Sequence, residues 1–179
     1  MTPAGRMRQG IRALLSLRQT PDLAEAAAYL TAPQLALFRR MPHIEQIHAL
    51  NVLRTLFANL PPDGDLRALD DLAAAALLHD VGKSRYPVRI WQKTLPVLVG
   101  RAAPVLYETL ADKDPRHWLW RAFAVKRHHP AWGAEMARTA HASERVVWLI
   151  AHHQDDAAQW DDHPHAALLR ALQAADDAN

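Results

Sequence analysis

Leu69, Leu72, Ala73, Ala76 and Leu77 recur at helical spacing, and the stripe they draw continues to Asp80. A helix rich in Leu and Ala therefore runs into the doublet His79-Asp80 and breaks at Gly82, within Leu77-Leu78-His79-Asp80-Val81-Gly82-Lys83. A carboxylate on that stripe points into a core. Burying it unpaired costs several kcal/mol, so it requires a strong partner, either a metal ion or a cation. The adjacent imidazole favours the metal. A fold for this chain has to bring further ligands to this point.

The 179 residues suffice for one domain with a sizeable core, and half of them are hydrophobic, which argues against disorder. A formal net charge of only +2 demands neither a nucleic acid nor a membrane as partner. The chain has no cysteine, which removes disulfides, thiolate zinc sites and cysteine nucleophiles together. That composition suits a reducing compartment, and a cytoplasmic location is the expectation. No apolar run reaches the length of a membrane span. Met1 to Arg18 is arginine-rich, free of acids and carries Ile11, Leu14, Leu15 and Leu17. It reads as a terminal helix docking on the domain, with a targeting or membrane-surface helix as the alternative.

The fold class is all-α. Ala and Leu dominate, β-branched alternation is absent, and prolines fall between periodic segments. Helices are predicted at Gly10–Leu17, Pro21–Leu30, Ala32–Arg40, His43–Leu60, Leu66–Asp80, Val88–Ala111, His117–His128, Pro130–His141, Ser143–Gln154 and His165–Asp177. The Val88–Ala111 segment is expected to kink or split, because it contains Pro96, Gly100 and Pro104. Pro61-Pro62-Asp63-Gly64 is a turn.

Eleven histidines is the unusual count, and several are paired. His48 lies at the edge of the stripe formed by Ala49, Val52, Leu53, Leu56, Phe57 and Leu60. Ser143 is a plausible N-cap for a helix that buries Val146, Leu149 and Ile150; His153 continues that face, and His152 stands beside it. His129 precedes Pro130, which suits the first position of a helix and places His129 at a loop-to-helix junction. Asp176 joins the inner face of Leu168, Leu169, Leu172 and Ala175, while Asp177 is rotated about 100° towards solvent. Each of these alone has an ordinary explanation in packing or solvation. As a set, His48, His79, Asp80, His129, His152, His153 and Asp176 are too many for one tetrahedral zinc. They suit two divalent transition-metal ions, Mn, Fe, Co, Ni or Zn, with Asp80 as the bridge.

The order His48, His79-Asp80, Asp176 resembles the HD-domain superfamily of metal-dependent phosphohydrolases, named for its His-Asp doublet. His129-Pro130 and His152-His153 resemble its two-metal subgroup, as do Leu78-His79-Asp80-Val81-Gly82-Lys83 and His129-Pro130-Ala131-Trp132-Gly133-Ala134-Glu135. The resemblance runs from about Ile44 to the C-terminus. It implies a compact HD-type helical bundle over residues 43–179 with a central metal site; residues 1–42 lie outside it and read as a helical extension packed on the domain. It also implies His48, His79, Asp80 and Asp176 as the core metal set, and His129, His152 and His153 as ligands of a second ion.

The implied activity is hydrolysis of a small phosphoester, a nucleotide being the expected substrate, by a metal-bridging hydroxide held at Asp80. Lys83 would neutralise developing charge and His128 would protonate the leaving group. Arg85, Arg89 and Arg127 are candidates to read a phosphate or base. The segment around Trp91, Lys93, Arg101 and Tyr107 is either a substrate wall or ordinary helix packing. Three departures narrow the reading. No Gly-Tyr-Pro motif follows the histidine pair, which argues against cyclic dinucleotides. Ile44 stands one turn before His48, where some relatives carry a glutamate, so no third metal is expected. Gln154 replaces an acid often found after the histidine pair. The alternatives are a di-iron HD-type oxygenase and a non-catalytic nucleotide-binding signalling module.

Overall fold

A computed structural model describes residues 20–59, 66–89, 92 and 94–179. The predicted helix Gly10–Leu17, the Pro61–Gly64 turn, Trp91 and Lys93 lie outside these residues. Among the described residues there is no strand, and the fold is all-α. The helices are α1 (Leu23–Ala27), α2 (Ala32–Arg40), α3 (His43–Asn59), α4 (Leu66–Leu78), α5 (Thr94–Ala102), α6 (Pro104–Ala111), α7 (Arg121–Thr139), α8 (Glu144–His152) and α9 (Ala166–Asp177). Short 3-10 turns at Val81–Arg85 and Ala157–Trp160 connect them. No described helix is long and apolar enough to cross a membrane.

The centre of the bundle is α4. Every residue from Leu72 to Leu78 is buried, which makes this helix apolar all round at its C-terminal half. Four alanines in that run keep its surface low, and α2, α3, α8 and α9 all pack against it. Each neighbour turns an apolar stripe inward: Ala49, Val52, Leu53 and Leu56 from α3, Val146, Leu149 and Ile150 from α8, Leu169 and Leu172 from α9. Ala26, Leu30, Phe38 and Met41 belong to the same core, so α1 and α2 share it.

Local chemistry fixes the ends. Ser143 Oγ accepts from the Val146 N–H at 3.2 Å and donates to Asp71 Oδ1 at 2.7 Å, tying the start of α8 to α4. The segment predicted as Val88–Ala111 is divided at Ala103, where Pro104 opens α6. The predicted break before Pro130 does not occur. α7 runs unbroken from Arg121 to Thr139 with Pro130 inside it. Its packing against α8 and against the Val81–Arg85 turn outweighs the hydrogen bond that proline cannot make.

Candidate metal centre

α4 ends at Leu78, and His79 and Asp80 occupy the turn that follows it. The Asp80 backbone lies at φ −96°, ψ 4°, between the helical and extended regions, before the 3-10 turn begins. Gly82 lets that turn press onto α7: a Cβ there would stand 2.0 Å from the His129 carbonyl oxygen. Glycine is thus required for the doublet to sit directly beside His129.

The two carboxylate oxygens of Asp80 face different histidines. Oδ2 lies 3.4 Å from His79 Nε2 and 4.0 Å from His48 Nε2. Oδ1 lies 3.3 Å from His129 Nε2 and 3.8 Å from His153 Nε2. Asp176 joins the first group, with Oδ1 at 2.8 Å from His48 Nε2 and 3.6 Å from His79 Nε2. The ligand atoms of His48, His79 and Asp80 lie within 4.8 Å of one another, as do those of Asp80, His129 and His153.

Three of these imidazoles are oriented from behind by backbone carbonyls. His79 Nδ1 donates to Ala76 O at 2.9 Å, His153 Nδ1 to Ile150 O at 2.8 Å, and His129 Nδ1 to Val125 O at 2.9 Å and Lys126 O at 3.1 Å. Pro130 explains the last contact. Having no N–H, it leaves the Lys126 carbonyl without its helical donor, and the imidazole takes that place. The Nε2 atoms of His79, His129 and His153 consequently turn inward, fully buried and without a hydrogen-bond partner. Buried polar atoms are almost always satisfied, so three orphans converging on one carboxylate mark a place for a ligand. Imidazole and carboxylate donors with Nδ1 held by carbonyls fit a divalent transition metal.

The electrostatics agree. Burial alone would lower the His79 pKa, but the Asp80 and Asp176 carboxylates more than offset it and raise it from 6.5 to about 10. Burial would raise that of Asp80; the Lys83 ammonium and the charge on His79, with His129 and His153, hold it well below the usual range. Asp176 is likewise held low against burial by His48 and His79. Burial pushes His153 down, towards the neutral form a ligand needs. Carboxylates that draw a proton onto His79 would equally draw a cation.

Lys83 Nζ stands 2.5 Å from Asp80 Oδ2 and 3.5 Å from Glu45 Oε2. Sequence reasoning missed Glu45 by taking Ile44 as the position one turn before His48. Glu45 is the buried one, 5% exposed. The signal was present: the stripe of Ala49 and Val52 extended back four residues lands on Glu45. A cavity of about 280 Å³ opens beside these groups, with Glu45, Lys83, His129 and Gln154 in its wall.

Two predicted site residues are not brought to the centre. His152, in the last turn of α8, points away; its Nδ1 bonds Asp155 Oδ2 at 2.6 Å, and its ring packs on Trp148 and Trp160. The following residue, turned by about 100°, is the one that reaches Asp80. His128 lies on the α6 side of α7, with Nε2 3.3 Å from Ala111 O and its ring against Trp132. Arg85 pairs with Glu135 at 3.0 Å, and Arg127 pairs with Glu108 and Asp112, so both side chains are engaged with exposed acids.

Fold and geometry together define an all-helical protein whose core carries a divalent-metal type of ligand set. A family model for the HD domain matches residues 46–178, and the chain belongs to that family, whose superfamily consists mostly of metal-dependent hydrolases. No curated protein and no solved structure matches the chain.

Proposed function

We propose that this protein is a metal-dependent phosphohydrolase that cleaves a small phosphoester and holds two divalent transition-metal ions, one on each side of Asp80. The observation that carries the reading is the division of the Asp80 carboxylate, Oδ2 towards His48, His79 and Asp176, Oδ1 towards His129 and His153. Those two groups would hold the ions. His152, which the resemblance would have included, stands outside them.

Bound divalent ions supply Lewis acidity, which polarises phosphoryl oxygens and lowers the pKa of water near neutrality. The chain's own residues do the rest. Asp80 orients both ligand groups. Lys83, held between Asp80 and Glu45, keeps a permanent ammonium in the cavity wall, since these two carboxylates raise its pKa against the effect of burial. A fixed cation there stabilises negative charge developing on phosphoryl oxygens without reorganising. His129 and Lys83 both face the cavity, so an ester seated in it would meet the ligand set and the ammonium together.

Elemental analysis of protein purified without chelator should give close to two ions per chain. Asp80→Ala should lose most of that metal and reduce hydrolysis of para-nitrophenyl phosphate by at least about a hundredfold. A folded, metal-loaded Asp80→Ala protein with full activity would overturn the reading.

A further inference from the structure

The cavity beside the metal centre changes character along its length. At the buried end stand Lys83, Glu45 and His129. Its walls are then Pro42, Ile44, Val88, Ala122 and Val125 with the Gln154 amide, and no hydroxyl-bearing side chain is among the described lining residues. At the exposed rim stands Lys126. Ala122, Val125, Lys126 and His129 form one face of α7, so Lys126 lies on the same face as a metal-set histidine, one turn away.

Lys126 is not an ordinary solvated lysine. Its ammonium is seated over the Tyr107 ring, 5.5 Å from the centroid. That ring is itself packed against Phe123 and over Gly100. Among the described residues no ion pair involves Lys126, and burial, with a lesser repulsion from the Arg101 guanidinium, lowers its pKa. An ammonium without a carboxylate partner at the mouth of an apolar cavity is available to pair with an anion that enters it.

We propose that Lys126 is a second anion subsite, and that the substrate is a phosphomonoester with a compact apolar body and a second anionic group. This deepens the phosphohydrolase reading and rests on it. Size agrees: an apolar cavity of about 150 Å³ holds benzene, so about 280 Å³ has room for a ring or short chain between two anions. Apart from the Gln154 amide and the Glu45 carboxylate, the lining carries nothing to read a nucleobase or ribose. The distal anion gains affinity, while the phosphate at the metal centre undergoes the chemistry.

The test compares phenyl phosphate, para-carboxyphenyl phosphate, para-phenylene bisphosphate and a nucleoside monophosphate on the metal-loaded protein. The matching phosphonates serve as non-hydrolysable competitors for direct binding. Both doubly anionic esters should show a kcat/KM about tenfold above phenyl phosphate, through KM. In Lys126→Met that ratio should fall to near one, and Lys126→Arg should restore it. Melting temperature should change by no more than a few degrees in Lys126→Met, which loses only an exposed cation–π contact. Preference for only one of the two dianions, abolished by Lys126→Met, identifies the second anion as that group. Hydrolysis of all esters with equal KM in wild type and Lys126→Met removes the subsite but leaves the hydrolase. A nucleoside monophosphate preferred in both proteins also overturns it. Phosphonate binding that keeps the dianion preference without any ester hydrolysis retains the subsite and removes the hydrolase.

Discussion

Asp80 does the work of several residues because the turn it occupies exposes both carboxylate oxygens to separate histidine groups. The charge this concentrates is visible in His79. Its pKa is raised from 6.5 to about 10, so between those values the folded chain binds more protons than the unfolded one. The contribution to stability is complete below about pH 6.5 and is lost as pH rises through about 10. The denaturant midpoint of chelator-treated protein should therefore decline across that window, and divalent metal should flatten the decline. Metal binding should also release protons, measurable by calorimetry in buffers of different ionisation enthalpy; absence of release at mildly alkaline pH would contradict the account. At this scale helix phase was an adequate guide where a residue sits within or just past a regular helix: His48, His79, Asp80 and Asp176 all reach one centre, and Asp177 faces solvent. At the end of α8 it placed His153 on the buried face, and His152, included through the set and the resemblance, lies one residue of rotation away. It failed at α3, where i−3 and i−4 are both one turn and only Glu45 is buried.

At the scale of elements, α7 shows why a local rule misled. Proline before an apolar run reads as a helix start, yet here the helix passes through it. The sequence carries no direct sign of this, because continuity is imposed by α8 and the Val81–Arg85 turn packing on both halves of α7. The same proline frees the carbonyl that orients His129. Pro130→Ala should thus act in opposite directions. An alanine N–H would restore the helical bond to Lys126 O, and interior proline costs about 3 kcal/mol relative to alanine, so the chelated protein should melt higher. The restored bond competes with His129 Nδ1, so metal affinity should weaken a fewfold in competition with a chromophoric chelator. Tighter metal binding in this variant would show that the proline has no part in orienting the ligand.

For the whole molecule, fold class was legible because Ala- and Leu-rich periodicity with interspersed proline leaves little alternative to a helical bundle. What was not legible is the extent of the core. The family match begins at residue 46, whereas Phe38 on α2 is fully buried, and α2 packs against α4, the doublet turn and α7. Phe38→Ala should cost about 3–5 kcal/mol in urea denaturation; a cost below about 1 kcal/mol would make the upstream helices an appendage rather than part of the core. The spacing of the ligands along the chain has a kinetic side. Asp80, His129 and His153 come together once the chain between them has folded, while His48 and Asp176 meet across 128 residues. Closing the longer loop costs more entropy and, in a chain made from its N-terminus, cannot precede α9. The His48 side of the centre is therefore complete only once the last helix docks, whereas the Asp80, His129 and His153 side needs no residue of that helix.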